Sequence, residues 1–155
     1  MRTRTRQGIL RTAIGALGLA AIIPAVGFQA SPRREVQQAL AHYERLSLIM
    51  AHDSIAGLFT PDGAMAAAGQ APIVGPAAIR AHLHSFAGFH VLANRLTADS
   101  TRVRGDSAQQ TGTFWQRVRL PAGDTVEVHG RFTAEWIRLG GQGWRLRRLA
   151  TAPPE

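Results

Sequence analysis

The clearest pattern in the chain is the alternation of apolar with polar or charged side chains over residues 130–138 and 143–147, two stretches joined by a Gly-rich turn. A period of two marks a strand with one face on a core and the other in water. Working back from that hairpin, residues 124–138 and 108–120 read as long strands joined at Pro121-Ala122-Gly123. Residues 89–99 and 101–104 are strand material before the turn at Gly105-Asp106, and 144–150 forms the last strand. The first half has a different rhythm. Ser31 as N-cap, Pro32 in the first helical position and Glu35 in the first turn open a helix. Val36, Leu40, Tyr43, Leu46 and Met50 then recur at helical spacing. A short second helix is expected over 53–59 with Asp53 as its cap, then a turn at Thr60-Pro61-Asp62-Gly63, a short strand over 64–68 and a loop through Gly69 and Pro72. Gly75-Pro76 starts a third helix with Ile79, Leu83 and Phe86 as its stripe. Three helices followed by a mostly antiparallel sheet give an α+β architecture with the helices on one sheet face.

Strand faces follow from pairing. Val118 opposite Val126 sets Trp115 opposite His129 and Arg117 opposite Glu127. In the last hairpin, placing Trp136 and Trp144 on one face pairs Ala134 with Leu146 and Glu135 with Arg145. The inner face is then Gly112, Phe114, Gln116, Val118, Val126, Val128, Phe132, Ala134, Trp136, Trp144 and Leu146. Trp115, Arg117, His129, Arg131, Glu135 and Ile137 face outward.

Composition changes the picture at the N-terminus. Arg2, Arg4, Arg6 and Arg11 precede an apolar run over 12–27, interrupted late by Pro24 and followed by small residues at Ala25-Val26-Gly27. This is the layout of a secretory signal peptide, so residues 1–30 are expected to be a signal and 31–152 the folded domain of an exported, periplasmic or secreted protein. Cleavage after Gly27 or Ala30 and retention as an anchor all remain open, with no stable membrane insertion expected once the signal is cut. Without those residues the chain has 14 basic and 10 acidic residues, a net charge of +4 scattered along the strands. Nucleic-acid binding needs clustered positive charge and is not expected. The absence of Cys and Lys removes disulfides, thiol nucleophiles, thiolate metal sites and Schiff-base chemistry.

These landmarks in this order resemble the nuclear transport factor 2-like superfamily, in particular its SnoaL-like branch. The matching stretches are residues 53–63, 72–80, Gly105-Asp106-Ser107-Ala108 with Gly112, and 130–147. The resemblance implies a strongly curved sheet, a cone whose helices and concave face enclose a central pocket, and a homodimer. It also implies functions ranging from isomerisation and cyclisation to plain ligand or partner binding, so it fixes fold better than chemistry.

The candidate chemistry is sparse. Tyr43, the only tyrosine, faces the sheet from the first helix. In steroid-isomerase members of the superfamily a Tyr on this helix donates to the developing enolate oxygen, while the competing reading is a core phenol bonded to a backbone carbonyl. Those members carry a carboxylate base on the short strand after the turn. Here residues 64–68 contain no ionisable group, and Asp62 reads as a turn-former, so that arrangement is not expected. Of the six histidines, His82 and His84 are two apart on a helix and diverge, and His42 and His52 stand alone. No metal site and no cofactor are expected. Alternation from His90 through Leu92, Asn94 and Leu96 puts His90 and Asn94 toward the pocket, with His90 the surviving base candidate. Gln116, and Gln110 nearer the strand end, are inner-face amides that need partners. Met65 and Trp136 supply apolar walls. The expected ligand site is therefore Tyr43, Met65, His90, Asn94, Gln116 and Trp136, suited to a small apolar molecule. The alternatives are a SnoaL-like cyclase, hydratase or isomerase with His90 as base and Tyr43 as acid, or a structural partner module. Whether the chain is an enzyme is left undecided. On the outer face Trp115, His129 and Ile137, among Arg and Glu, are the expected homodimer contact.

Overall fold

The computed structural model describes residues 30–154, so the expected signal segment, all but Ala30, lies outside the described residues. Among the described residues the chain forms α1 (Pro32–Leu48), α2 (His52–Ala56), β1 (Phe59–Ala67), β2 (Ile73–Val74), α3 (Pro76–His84), β3 (His90–Arg104), β4 (Ser107–Arg119), β5 (Thr125–Leu139) and β6 (Gly143–Ala152). The strands make one sheet in the order β2-β1-β6-β5-β4-β3. Every neighbouring pair is antiparallel except β1 with β6. The expected α+β architecture is the observed one, with three helices packed on a curled sheet.

α1 begins as its sequence requires: the Ser31 hydroxyl accepts from the Arg34 amide, Pro32 sits in the first turn and Glu35 follows. Val36 and Leu40 are buried against the sheet, with Tyr43 and Leu46 half-buried on the same stripe. Two acidic residues fix how the helix lies. Near its start Glu35 accepts from the Trp144 indole at 3.0 Å and from the Arg138 guanidinium, which also stacks 5.1 Å over the Trp144 ring. Toward its end the Glu44 carboxylate accepts the Leu96 amide at 2.7 Å, and Asn94 donates to the Glu44 carbonyl at 3.1 Å. β3 is an edge strand. Glu44 thus occupies a backbone donor that would otherwise remain open for edge pairing.

The β4–β5 register is the expected one, with Val118 opposite Val126, Trp115 opposite His129 and Arg117 opposite Glu127. The last hairpin corrects the reading above. Ala134 pairs with Leu149 and Glu135 with Arg148, and after an irregularity Trp136 pairs with Leu146 and Ile137 with Arg145. Strict alternation has no place for that extra residue. Trp136 and Trp144 still share the inner face, because the bulge inserts between the two pairing blocks. The Thr60–Gly63 turn likewise survives inside β1: pairing jumps from Phe59–Leu146 to Ala64–Arg148, and the Thr60 hydroxyl donates to Asp62 at 2.8 Å across the irregularity. β2, for which no strand was expected, pairs Val74 with Ala64 and Ile73 with Met65. α2 is shorter than expected and is capped at Ala51 without a side-chain bond, so Asp53 lies within the helix.

The core sits between α1, α2, α3 and the inner sheet face, around Ile79, Phe132, Ala134, Trp136 and Leu146. It contains one polar chain. The Trp136 indole donates to Gln110 Oε1 at 2.9 Å, and Gln110 Nε2 donates to the Thr101 hydroxyl at 3.2 Å. Gln110 is fully buried, and these bonds supply the partners its amide needs.

Candidate functional site

Between the helices and the inner face lies a cavity of about 440 Å³. α1 contributes Tyr43 and Ser47, α2 His52 and Ile55, α3 His82 and Leu83, and the segment after α3 contributes Phe86 and Phe89. The sheet supplies Met65, Val91, Leu96, Phe114, Gln116, Val118, Val126, Val128, Phe132, Leu149 and Thr151. The wall is aliphatic and aromatic except for the Tyr43 and Ser47 hydroxyls, Gln116, Thr151, His52 and His82, and no carboxylate or guanidinium lines it. Phe86, Val126 and Val128 line the cavity yet remain exposed, while His52 and His82 line it half-buried.

Tyr43 is held one helical turn from Ser47, its side-chain hydrogen-bond partner. Burial pushes the phenol above its ordinary 10.0, and the Ser47 bond offsets this only in part. As the only tyrosine in the chain, it gives an unmixed signal. Alkaline titration followed at 295 nm (the tyrosinate band, roughly, against the indole background) is expected to show a midpoint above 10.0. An ordinary midpoint would mean that the hydroxyl is solvated.

Of the residues expected at the site, Tyr43, Met65 and Gln116 line the cavity. The other three do not, each for an identifiable reason. β3 is irregular between Val91 and Ala93, so the alternation does not run unbroken from His90 to Asn94. His90 pairs with Arg119 and is exposed on the convex side, while Val91, opposite Val118, turns inward. Asn94 returns to the inner face opposite Gln116, but its amide is drawn to the Glu44 carbonyl and its buried Oδ1 has no protein partner. Trp136, 2% exposed, is core sealed against Gln110.

In their place the structure brings forward His52 and His82. The spacing of His82 and His84 did make them diverge: His82 lines the cavity and packs edge-on against Phe86, while His84 turns to α2. His52 does not stand alone. Its ring meets that of His84 edge-on at 5.0 Å, and His84 Nε2 lies 3.2 Å from Asp53 Oδ1, which Arg80 also engages at 2.9 Å. Desolvation first, and then the neighbouring His84, hold the His52 pKa below its ordinary 6.5, with Asp53 opposing. The bond from His84 is the main influence holding the Asp53 carboxyl low. The packing of α2 on α3 that creates this group is a tertiary contact with no periodic signature in the sequence. Among the described residues no group of three or more His, Asp or Glu is arranged to hold a metal ion.

On the convex face Trp115 is half-buried rather than exposed, and its indole donates to Glu127 at 3.2 Å. With Arg95, His129, Arg131 and Pro154 it borders a shallow groove, while Ile137 lies further along β5.

A curled sheet closed by three helices over an apolar cavity defines the nuclear transport factor 2-like class. Within it, the profile of the SnoaL-like domain family matches residues 29–150, and the chain belongs to that family. No curated protein sequence matches it. Among solved structures it is similar to an NTF2-like protein with a cystatin-like fold from Novosphingobium aromaticivorans, at 24% identity and a TM-score of 0.65 over 79% of this chain and 81% of that one. It is also similar to a ketosteroid isomerase-like protein from Erwinia carotovora atroseptica, at 13% identity and a TM-score of 0.71 over 80% and 97%. A third is a putative aromatic ring hydroxylase, also from Novosphingobium aromaticivorans, at 21% identity and a TM-score of 0.67 over 78% and 87%.

Proposed function

We propose that the chain is an exported small-molecule-binding domain whose ligand occupies the central cavity and is mainly apolar. The observation that carries this reading is the cavity itself: about 440 Å³, within the range of roughly 300–1,000 Å³ in which ligand sites fall. Its walls offer mostly hydrocarbon and a few hydrogen-bonding groups. Burying apolar surface there supplies the affinity, and Tyr43, Ser47, Gln116 and Thr151 orient the ligand. Catalysis by His90 with Tyr43 lacks support, because His90 is on the other side of the sheet. β1 offers no ionisable group at the cavity, only Met65. Native mass spectrometry of the domain purified from its own cells tests the reading. A discrete extra mass that disappears on denaturation is expected; a bare chain mass under conditions that preserve known complexes counts against it.

The convex face supports a second proposal, a sheet-to-sheet homodimer through Trp115, His129 and Ile137. A half-buried tryptophan bordered by Arg95, Arg131 and Glu127 has the composition of an interface with an aromatic anchor and a charged rim. Trp115→Glu is expected to halve the mass seen by light scattering. An unchanged mass would remove Trp115 from the contact.

A further inference from the structure

Resting on the small-molecule reading of the cavity, we propose that its mouth is a head-group site for an amphipathic organic acid. The apolar body would fill the cavity and the carboxylate would sit at the rim with His52 and His82. The placement of charge argues for an anion. α2 and α3 place His52 and His82 on the cavity wall, with His84 against His52 and Arg80 beside the one carboxylate of the two helices, Asp53. That carboxylate is already engaged by Arg80 at 2.9 Å and by His84 at 3.2 Å. Its charge is thus largely matched before it acts on His52, the next residue back along α2. The polar groups of the remaining wall, Tyr43, Ser47, Gln116 and Thr151, are neutral, and the sheet contributes no ionisable group. A carboxylate would find charge-assisted donors only at the rim.

The same surroundings couple binding to protonation. His52 is flanked by Asp53 of its own helix and meets the His84 ring of α3; Arg80 of α3 engages Asp53, His82 of α3 and Tyr43 of α1 line the same cavity, and the His42–Arg45 pair lies exposed on α1. Burial and the His84 ring keep free His52 neutral to lower pH than an ordinary histidine. A bound carboxylate reverses that preference, so the complex takes up a proton. The sign follows from linkage. The acid-specific affinity is fully present below the lowered pKa of free His52 and is lost as pH rises through the raised pKa of the complex. A neutral ligand of the same length has no such dependence.

The test compares decanoate with decan-1-ol, which share an apolar body and differ in the head. Isothermal titration calorimetry of the native domain in PIPES and in Tris, at one pH near neutrality, reads proton uptake directly. Expected is decanoate tighter than decanol by roughly tenfold at about pH 6, the scale of one charge-assisted hydrogen bond at a partly wet rim. The preference should shrink by about pH 8, and decanoate alone should give a buffer-dependent heat of proton uptake. In the His52→Gln/His82→Gln variant the decanoate-to-decanol ratio should fall to about one. Equal affinities with no proton uptake in the native domain would overturn the acid site and leave the apolar cavity standing. Failure of both molecules to bind would overturn the cavity reading, and the acid site with it.

Discussion

Gly112→Ala is expected to destabilise the domain by about 3 kcal/mol or more, a large fraction of the ~5–15 kcal/mol that holds a domain of this size together. Gly112 lies on β4 opposite Phe132, beside the irregularity that β3 makes between Ala98 and Ser100. A Cβ there would sit 2.0 Å from the Thr97 carbonyl oxygen, and 2.9 Å from both the Ala98 Cα and the Phe132 ring. The first two obstacles are backbone, so no rotamer change relieves them. The strands would have to part where the sheet bends over the core. Gly140→Ala is the control, since a Cβ at that position meets nothing within 4 Å; it should stay within about 0.5 kcal/mol of the parent. Urea unfolding reads both. A Gly112→Ala midpoint near that of the parent would mean that β3 and β4 do not approach this closely.

Val118→Trp carries the largest expected effect on binding. Val118 is half-buried on the cavity wall opposite Val126 and Val91. In a filled core such an enlargement costs typically ~1–3 kcal/mol through overpacking. Over an apolar cavity of this size the added indole instead gains contacts, so thermal stability should hold or rise while apolar ligands lose roughly a hundredfold in affinity. A fall in stability of the overpacking size would mean that the inner face is packed solid. Stability that holds while affinity falls is expected only if the space is hollow.

The legibility of the sequence had clear physical limits. The β4–β5 register could be read because two long strands meet over a short turn, and one buried face leaves a single acceptable pairing. Ser31, Pro32 and Glu35 placed the start of α1 because cap chemistry is local. Tyr43 and Gln116 were found for the same kind of reason, since a single stripe or a single alternation sets their faces. What failed, failed at bulges. One irregularity between Val91 and Ala93 sent His90 to the convex side, and another between Glu135 and Trp136 shifted the last hairpin. A bulge inserts one residue and reverses parity beyond it, and nothing in the apolar pattern around Leu92 marks it. His52 and His82 were set aside as isolated for a different reason. Their importance comes from α2 packing on α3, a contact between short helices that sequence spacing does not encode.

The central claim is that the cavity is a site for an apolar molecule. The most direct test is a titration of the domain with N-phenyl-1-naphthylamine, a neutral probe that fluoresces when it leaves water, in the parent and in Val118→Trp. The expected result is saturable enhancement with one site per chain in the parent and none in the variant. Enhancement that does not saturate, or that is the same in both proteins, would contradict it.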